Sequence, residues 1–117
     1  MKTRTTTELN ADFDSTLASC SSKILNDSDE LVSRHIFEEF DVGATSFLHP
    51  SSLQRLLEAG YIDNEIKELC ATLRAEALSA IQNHRSVAAV RTEPSWRGVI
   101  ELSDRIKRLK AERSTAR

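Results

Sequence analysis

Helical periodicity runs through this chain almost without interruption, and it limits what the chain can fold into. Leu9, Phe13, Leu17, Cys20 and Ile24 recur at intervals of 4, 4, 3 and 4 residues, which places them on one face of an α-helix. Thr5 and Glu8 stand in front of that run as a capping box, in which hydroxyl and carboxylate each take one orphan amide. Asn26-Asp27-Ser28 interrupts the pattern. A second helix follows, with Asp27 or Ser28 placed to cap it and Asp29 and Glu30 in its first turn, where the helix dipole favours negative charge. Leu31, Val32, His35, Ile36 and Phe40 form its stripe, with Phe37 slightly aside, and Gly43 is the expected stop.

Residues 44–50 read as a loop. Ser51 and Gln54 form a second candidate capping box, Leu53, Leu56 and Leu57 fill a short helix, and Gly60 ends it. Asp63 is placed to cap the longest helix, which carries Ile66, Leu69, Cys70, Leu73, Ala77, Ala80 and Ile81. Residues 84–92 stay open: Val87 to Val90 fit a loop, a frayed helix end or a short extended piece. Thr92-Glu93-Pro94-Ser95 opens the last helix, because proline costs nothing in a first turn, and Trp96, Val99, Leu102, Ile106 and Leu109 form its stripe. With only 3 glycines and 2 prolines, the 117 residues favour few, long elements. The expected fold is all-α: a single-domain bundle of about five helices of unequal length over residues 1–117, with 1–5 and 112–117 frayed.

The residues that could do chemistry are few and scattered. Cys20 and Cys70 sit on apolar stripes, where a thiol behaves as a small inert hydrophobe. His35, His49 and His84 fall on different elements; His35 and Glu39 share a helix face but are too few for zinc. Asp27-Ser28-Asp29-Glu30-Leu31-Val32 begins like a calcium loop but lacks the glycine needed at the sixth position. Neither a phosphate-binding glycine loop nor a nucleophile elbow is present. The expectation is therefore no enzyme, no metal, no cofactor and no small-molecule substrate. The opening residues MKTRTTTELN lack an apolar core of the kind a signal peptide carries, and no run is long enough to span a membrane, so a cytoplasmic protein is expected.

Charge is what remains. Residues 1–65 carry a net −7 and residues 66–117 a net +5. The acidic stretch 27–41 holds Asp27, Asp29, Glu30, Glu38, Glu39 and Asp41 against Arg34, and beside it lie Phe47, Leu48 and His49. Together Asp27, Asp29, Glu30, Glu38, Glu39, Asp41, Phe47 and His49 form the candidate docking surface for a basic partner: carboxylates to steer association, an aromatic to anchor it. Two readings compete with this: a solvated face for the acids, and burial of Phe47 and Leu48 in the core. The stretch 105–117 holds Arg105, Lys107, Arg108, Lys110, Arg113 and Arg117 against Glu112, and those after Ile106 sit near the C-terminus of the last helix, where the dipole favours them. Leu53 to Gly60 followed by a helix from Asp63 has the outline of a helix-turn-helix, but Asp63, Glu65 and Glu68 at the start of the would-be recognition helix repel phosphate and argue against nucleic acid.

The stretch Phe40-Asp41-Val42-Gly43-Ala44-Thr45-Ser46-Phe47-Leu48-His49-Pro50, the leucines from Leu53 to Leu57, and Pro94-Ser95-Trp96 are similar to the immunity proteins of bacterial contact-dependent growth inhibition systems. What that resemblance implies is cognate binding, in the cytoplasm, to the toxin domain of a secreted effector, in many cases a nuclease with a basic cleft. It supplies no residue motif, so the docking residues rest on charge alone. A helical structural or regulatory module, dimerising through the stripe of the last helix, and a small DNA-binding regulator stand as alternatives.

Overall fold

Thr5 opens the first helix in the expected way: its Oγ1 accepts the Glu8 N–H at 3.1 Å and Glu8 Oε1 accepts the Thr5 N–H at 3.3 Å. The computed structural model describes residues 5–115, with side chains to 113, and within them the chain is all helix and turn. Most of the fraying expected at 1–5 and 112–117 lies outside the described residues; Thr5 is an N-cap and residues 112–115 belong to the last helix. The elements are α1 (Thr6–Ser19), a 3₁₀ turn (Ser22–Asn26), α2 (residues 29–46), α3 (Pro50–Glu58), α4 (Asn64–Asn83), α5 (Val87–Thr92) and α6 (Pro94–Thr115). No helix is long and apolar enough to cross a membrane, among the described residues.

The second helix departs most from expectation. Gly43 does not stop it: the helix continues to Ser46, so most of the expected 44–50 loop is helical. Its middle, Arg34–Phe40, is π-helical, between α-helical Asp29–Ser33 and Asp41–Ser46. The sequence supplies the reason. Val32, Ile36, Phe40, Ala44 and Leu48 are all fully buried, and they recur at every fourth position. In an α-helix of 3.6 residues per turn such a row drifts around the axis by about 40° per step. A π segment, whose bonds run i→i+5, holds more residues per turn and turns the drift back. Here Asp41 N–H reaches the Ile36 carbonyl five residues earlier. The widened turn keeps five apolar side chains against one core.

Gly43 is a close-approach site. It lies buried on α2 where α1 crosses, and a Cβ there would come within 2.9 Å of Thr16 Cβ and closer still to its Oγ1 and Cγ2. Thr16 cannot swing aside freely, because its Oγ1 donates to the Asp12 carbonyl at 2.8 Å. Gly60, with φ 84°, is the left-handed residue that ends α3, as expected.

The other helix ends follow their sequence signals with three changes. The first helix stops at Ser19, so Cys20 is its C-cap and Ile24 lies on the 3₁₀ turn, although both stay buried with the stripe. Ser28 Oγ accepts the Leu31 N–H at 3.3 Å and Asp63 Oδ1 the Ile66 N–H at 2.9 Å. The cap of α3 is His49 rather than Ser51: its Nδ1 accepts the Ser51 N–H at 3.2 Å, and Pro50 takes the first helical position. The ambiguous segment folds as α5, capped by Ser86, whose Oγ accepts the Ala89 N–H at 3.1 Å. Glu93 is extended, as a residue before proline must be, so α5 and α6 are separate helices.

The α4–α6 contact is the most extensive helix interface. Trp96 is fully buried, donates its indole N–H to the His84 carbonyl at 2.9 Å, and meets Phe37 edge-on at 6.1 Å between ring centroids. Val99 and Ile106 of the last stripe are fully buried and Leu102 and Leu109 pack against the core. That stripe is spent inside the molecule and leaves no free seam for a coiled coil. Ser103, buried on the same helix, donates to the Leu17 carbonyl at 3.1 Å and ties α6 to α1.

The Gly43–Thr16 contact sets a test. Alanine is a better helix former than glycine by about 1 kcal/mol, yet Gly43→Ala should lower stability by about 1–3 kcal/mol through overpacking. Denaturant melts of Gly43→Ala, Thr16→Ala and the pair should show the double variant recovering most of the Gly43→Ala loss. Simple addition of the two single losses would mean that this contact does not set the spacing of α1 and α2.

Candidate docking surface

Most of the acidic residues expected to face a partner are engaged with the protein's own basic groups. Arg91, on α5, donates to the Leu25 carbonyl at 2.5 Å, the Asp27 carbonyl at 2.9 Å and Asp29 Oδ1 at 3.0 Å. Glu30 lies 3.8 Å from Arg34 one turn on. Asp41 lies 3.6 Å from Arg85, whose guanidinium also stacks 5.1 Å over the Phe37 ring. His35 hydrogen-bonds Glu39 through Nδ1 at 2.8 Å, with Asp27 3.9 Å from its Nε2. Glu38 differs from the other five: it is exposed and makes no ion pair among the described residues. Exposed pairs of this kind stabilise weakly, commonly by less than about 1 kcal/mol each. Their larger effect is to shrink the negative field that the bare sequence suggests.

The aromatic anchor is corrected as well. Phe47 is half-buried and packed against the core, Leu48 is fully buried, and His49 is the exposed N-cap of α3. Neither Phe47 nor Leu48 projects as an apolar knob. Sequence reasoning missed the residue that does. Val42 is 59% exposed, the more open of the two exposed large hydrophobic residues among the described residues, the other being Leu31 at 39%. The signal was there: position 42 lies midway between the buried positions 40 and 44.

The same every-fourth spacing that lines up the core face of α2 lines up its outer face. Glu30, Arg34, Glu38, Val42 and Ser46 are all exposed, half a turn away from the buried row. Glu30 and Arg34 largely cancel, so the ridge is polar at its start and carries an open carboxylate and an open isopropyl group at its centre. Glu39 and Asp41, each paired to a neighbour, flank it.

Other candidate sites resolve into structure. Cys20 and Cys70 are free and buried, and burial pushes both thiols up, Cys20 beyond the ordinary thiol range and Cys70 to about 12. The first turn of the helix-turn-helix outline is not open, because Arg113 of α6 bonds Asp63 Oδ2 and Glu65 Oε1, and Lys67 donates to Gln54 of α3 at 2.7 Å. No group of three or more His, Cys, Asp or Glu is placed to hold a metal, among the described residues. Comparison with known protein families, with characterised proteins and with solved structures finds no match.

The thiols give a pH prediction. A thiol raised by burial favours folding while it stays protonated in both states, so the contribution is intact below the unfolded value near 9 and is lost as pH climbs toward 12. Urea midpoints should therefore fall above about pH 9. Native protein at pH 8 should resist iodoacetamide, with both cysteines alkylated once it unfolds. Rapid labelling of folded protein would contradict the burial.

Proposed function

We propose that this protein is a binding module, not a catalyst, and that it works as an immunity protein: it neutralises a bacterial toxin domain by docking the outer ridge of α2 against it. The observation that carries the reading is the pairing of open Glu38 with exposed Val42 at i and i+4 on that ridge. A carboxylate free of internal partners is available to steer a basic partner, and an exposed apolar group beside it supplies contact area that solvent would otherwise cover. A nuclease toxin fits this surface, because its substrate cleft must be positive to hold phosphate. The resemblance to growth-inhibition immunity proteins points the same way. The π-helical turn aligns the ridge, because it holds the buried row behind it in register.

Support for the dimer reading is weaker, since the last stripe is buried within the subunit.

The test is binding to the toxin domain of the effector encoded beside this protein, by surface plasmon resonance at several salt concentrations. Glu38→Lys should slow association by about tenfold at low salt, with a smaller effect at high salt. Val42→Asp should instead speed dissociation and cost about 1–2 kcal/mol. Asp29→Asn, whose carboxylate is turned to Arg91, should bind as wild type. Unchanged binding in both ridge variants would reject the docking face, and a neighbouring gene with no toxin domain would reject the toxin.

A further inference from the structure

The basic residues of α6 do not act as one group. Lys110 bonds Asp14 at 2.9 Å and lies 5.8 Å over the Phe13 ring, and Arg113 bonds Asp63 and Glu65. These two hold α6 to α1 and to the start of α4. Arg105, Lys107 and Arg108 are exposed and have no counter-ion among the described residues, and neither has Lys23 on the 3₁₀ turn. The helix dipole accounts for Arg113, the basic residue of the last turn. It does not account for Lys107 and Arg108 further upstream, nor for Lys23, which comes from another element.

Lys23, Lys107 and Arg108 line one surface cavity of about 330 Å³ with Ser21, Ser22, Asp104 and Ala111. The acid in that cavity is fixed: both oxygens of Asp104 accept the Ser22 N–H at 3.3 Å. Three cations thus face one tethered carboxylate. A second cavity of about 330 Å³ shares Lys107 and Ala111 and is lined also by Lys110 and Asp14, which neutralise each other, so the open charge stays with Lys23, Lys107 and Arg108.

We propose that this seam between the 3₁₀ turn and the C-terminal half of α6 binds the phosphate backbone of nucleic acid, without sequence preference and independently of the α2 ridge. Three open cations across two elements, Lys23, Lys107 and Arg108, are the charge that phosphate contacts need. Among the described residues both exposed large hydrophobic side chains lie on α2 and none on the seam, so the seam lacks the apolar centre on which a protein interface depends. It also presents no aromatic on which a base could stack, so recognition is of backbone and not of sequence. Of the acids that argue against a recognition helix, Asp63 and Glu65 are turned to Arg113, and neither they nor Glu68 line either cavity.

Fluorescence anisotropy with labelled random-sequence duplex DNA tests this. At 20 mM salt the full chain should bind in the micromolar range, and log K against log salt should fall with a slope of about −3 for three phosphates. Lys107→Glu with Arg108→Glu should weaken binding at least tenfold while the circular-dichroism melt is retained. Should that pair unfold, Lys107→Gln with Arg108→Gln serves in its place, with a loss of at least threefold. Glu38→Lys should bind DNA no worse than wild type, which separates this surface from the ridge. Absence of binding at 20 mM salt overturns the proposal, as does binding insensitive to the paired variants. Competition by poly-glutamate as effective as by DNA at equal charge also overturns it, assigning the seam to acidic protein.

Discussion

Arg91 reaches from α5 to three oxygens of the segment that joins the 3₁₀ turn to α2, and the placement of α2 depends on it. The Leu25 and Asp27 carbonyls it binds lie at the end of a short 3₁₀ turn, where backbone acceptors run out of intrahelical partners. Hydrogen bonds to a charged group contribute about 1.5–3 kcal/mol each, whereas the Asp29 arm, with that side chain 82% exposed, adds little. The contact also secures α5. Six residues are too few to hold a helix alone, and α5 is kept by Val90 in the core on one side and Arg91 over the turn on the other.

With its start fixed, α2 can lay Val32, Ile36, Phe40 and Ala44 along the core, and Leu48 continues the row just past its end. Their four-residue repeat matches neither a straight α-helix nor a straight π-helix, and the chain alternates the two to keep them in register. The outer face inherits the same alignment. Function enters through this coupling: the open carboxylate and valine of the ridge are displayed where they are because the residues two positions away are buried. The last helix repeats the logic in positive charge, with Lys110 and Arg113 used to fasten α6 and Arg105, Lys107 and Arg108 left facing solvent.

Much of the fold was legible in the sequence because its signals are local. The stripes of α1, α4 and α6, the caps at Thr5, Ser28 and Asp63, and the stop at Gly60 each depend on residues within a turn or two. Gly43 misleads for a physical reason: a glycine that ends a helix and one that lets another helix approach have the same identity, and only the position of Thr16 on α1 tells them apart. The four-residue repeat in α2 was visible as letters, yet reading it needs the buried faces of α2 to be known beyond the expected stop. The docking surface was least legible. Arg91 is 62 residues from Asp29 and Arg85 is 44 from Asp41 in the chain, so no window of sequence shows that these acids are neutralised. What survives, Glu38 and Val42, is defined by what the fold leaves over.

The most direct measurement is native-state hydrogen exchange on the wild type and on Arg91→Met, which keeps the apolar stem and removes the guanidinium. Amides of residues 25–33 and 87–92 should exchange at least tenfold faster in the variant while those in the centres of α4 and α6 keep their protection. Equal acceleration throughout, or none in 25–33, would contradict the view that this one side chain sets where α2 begins and hence which of its residues meet a partner.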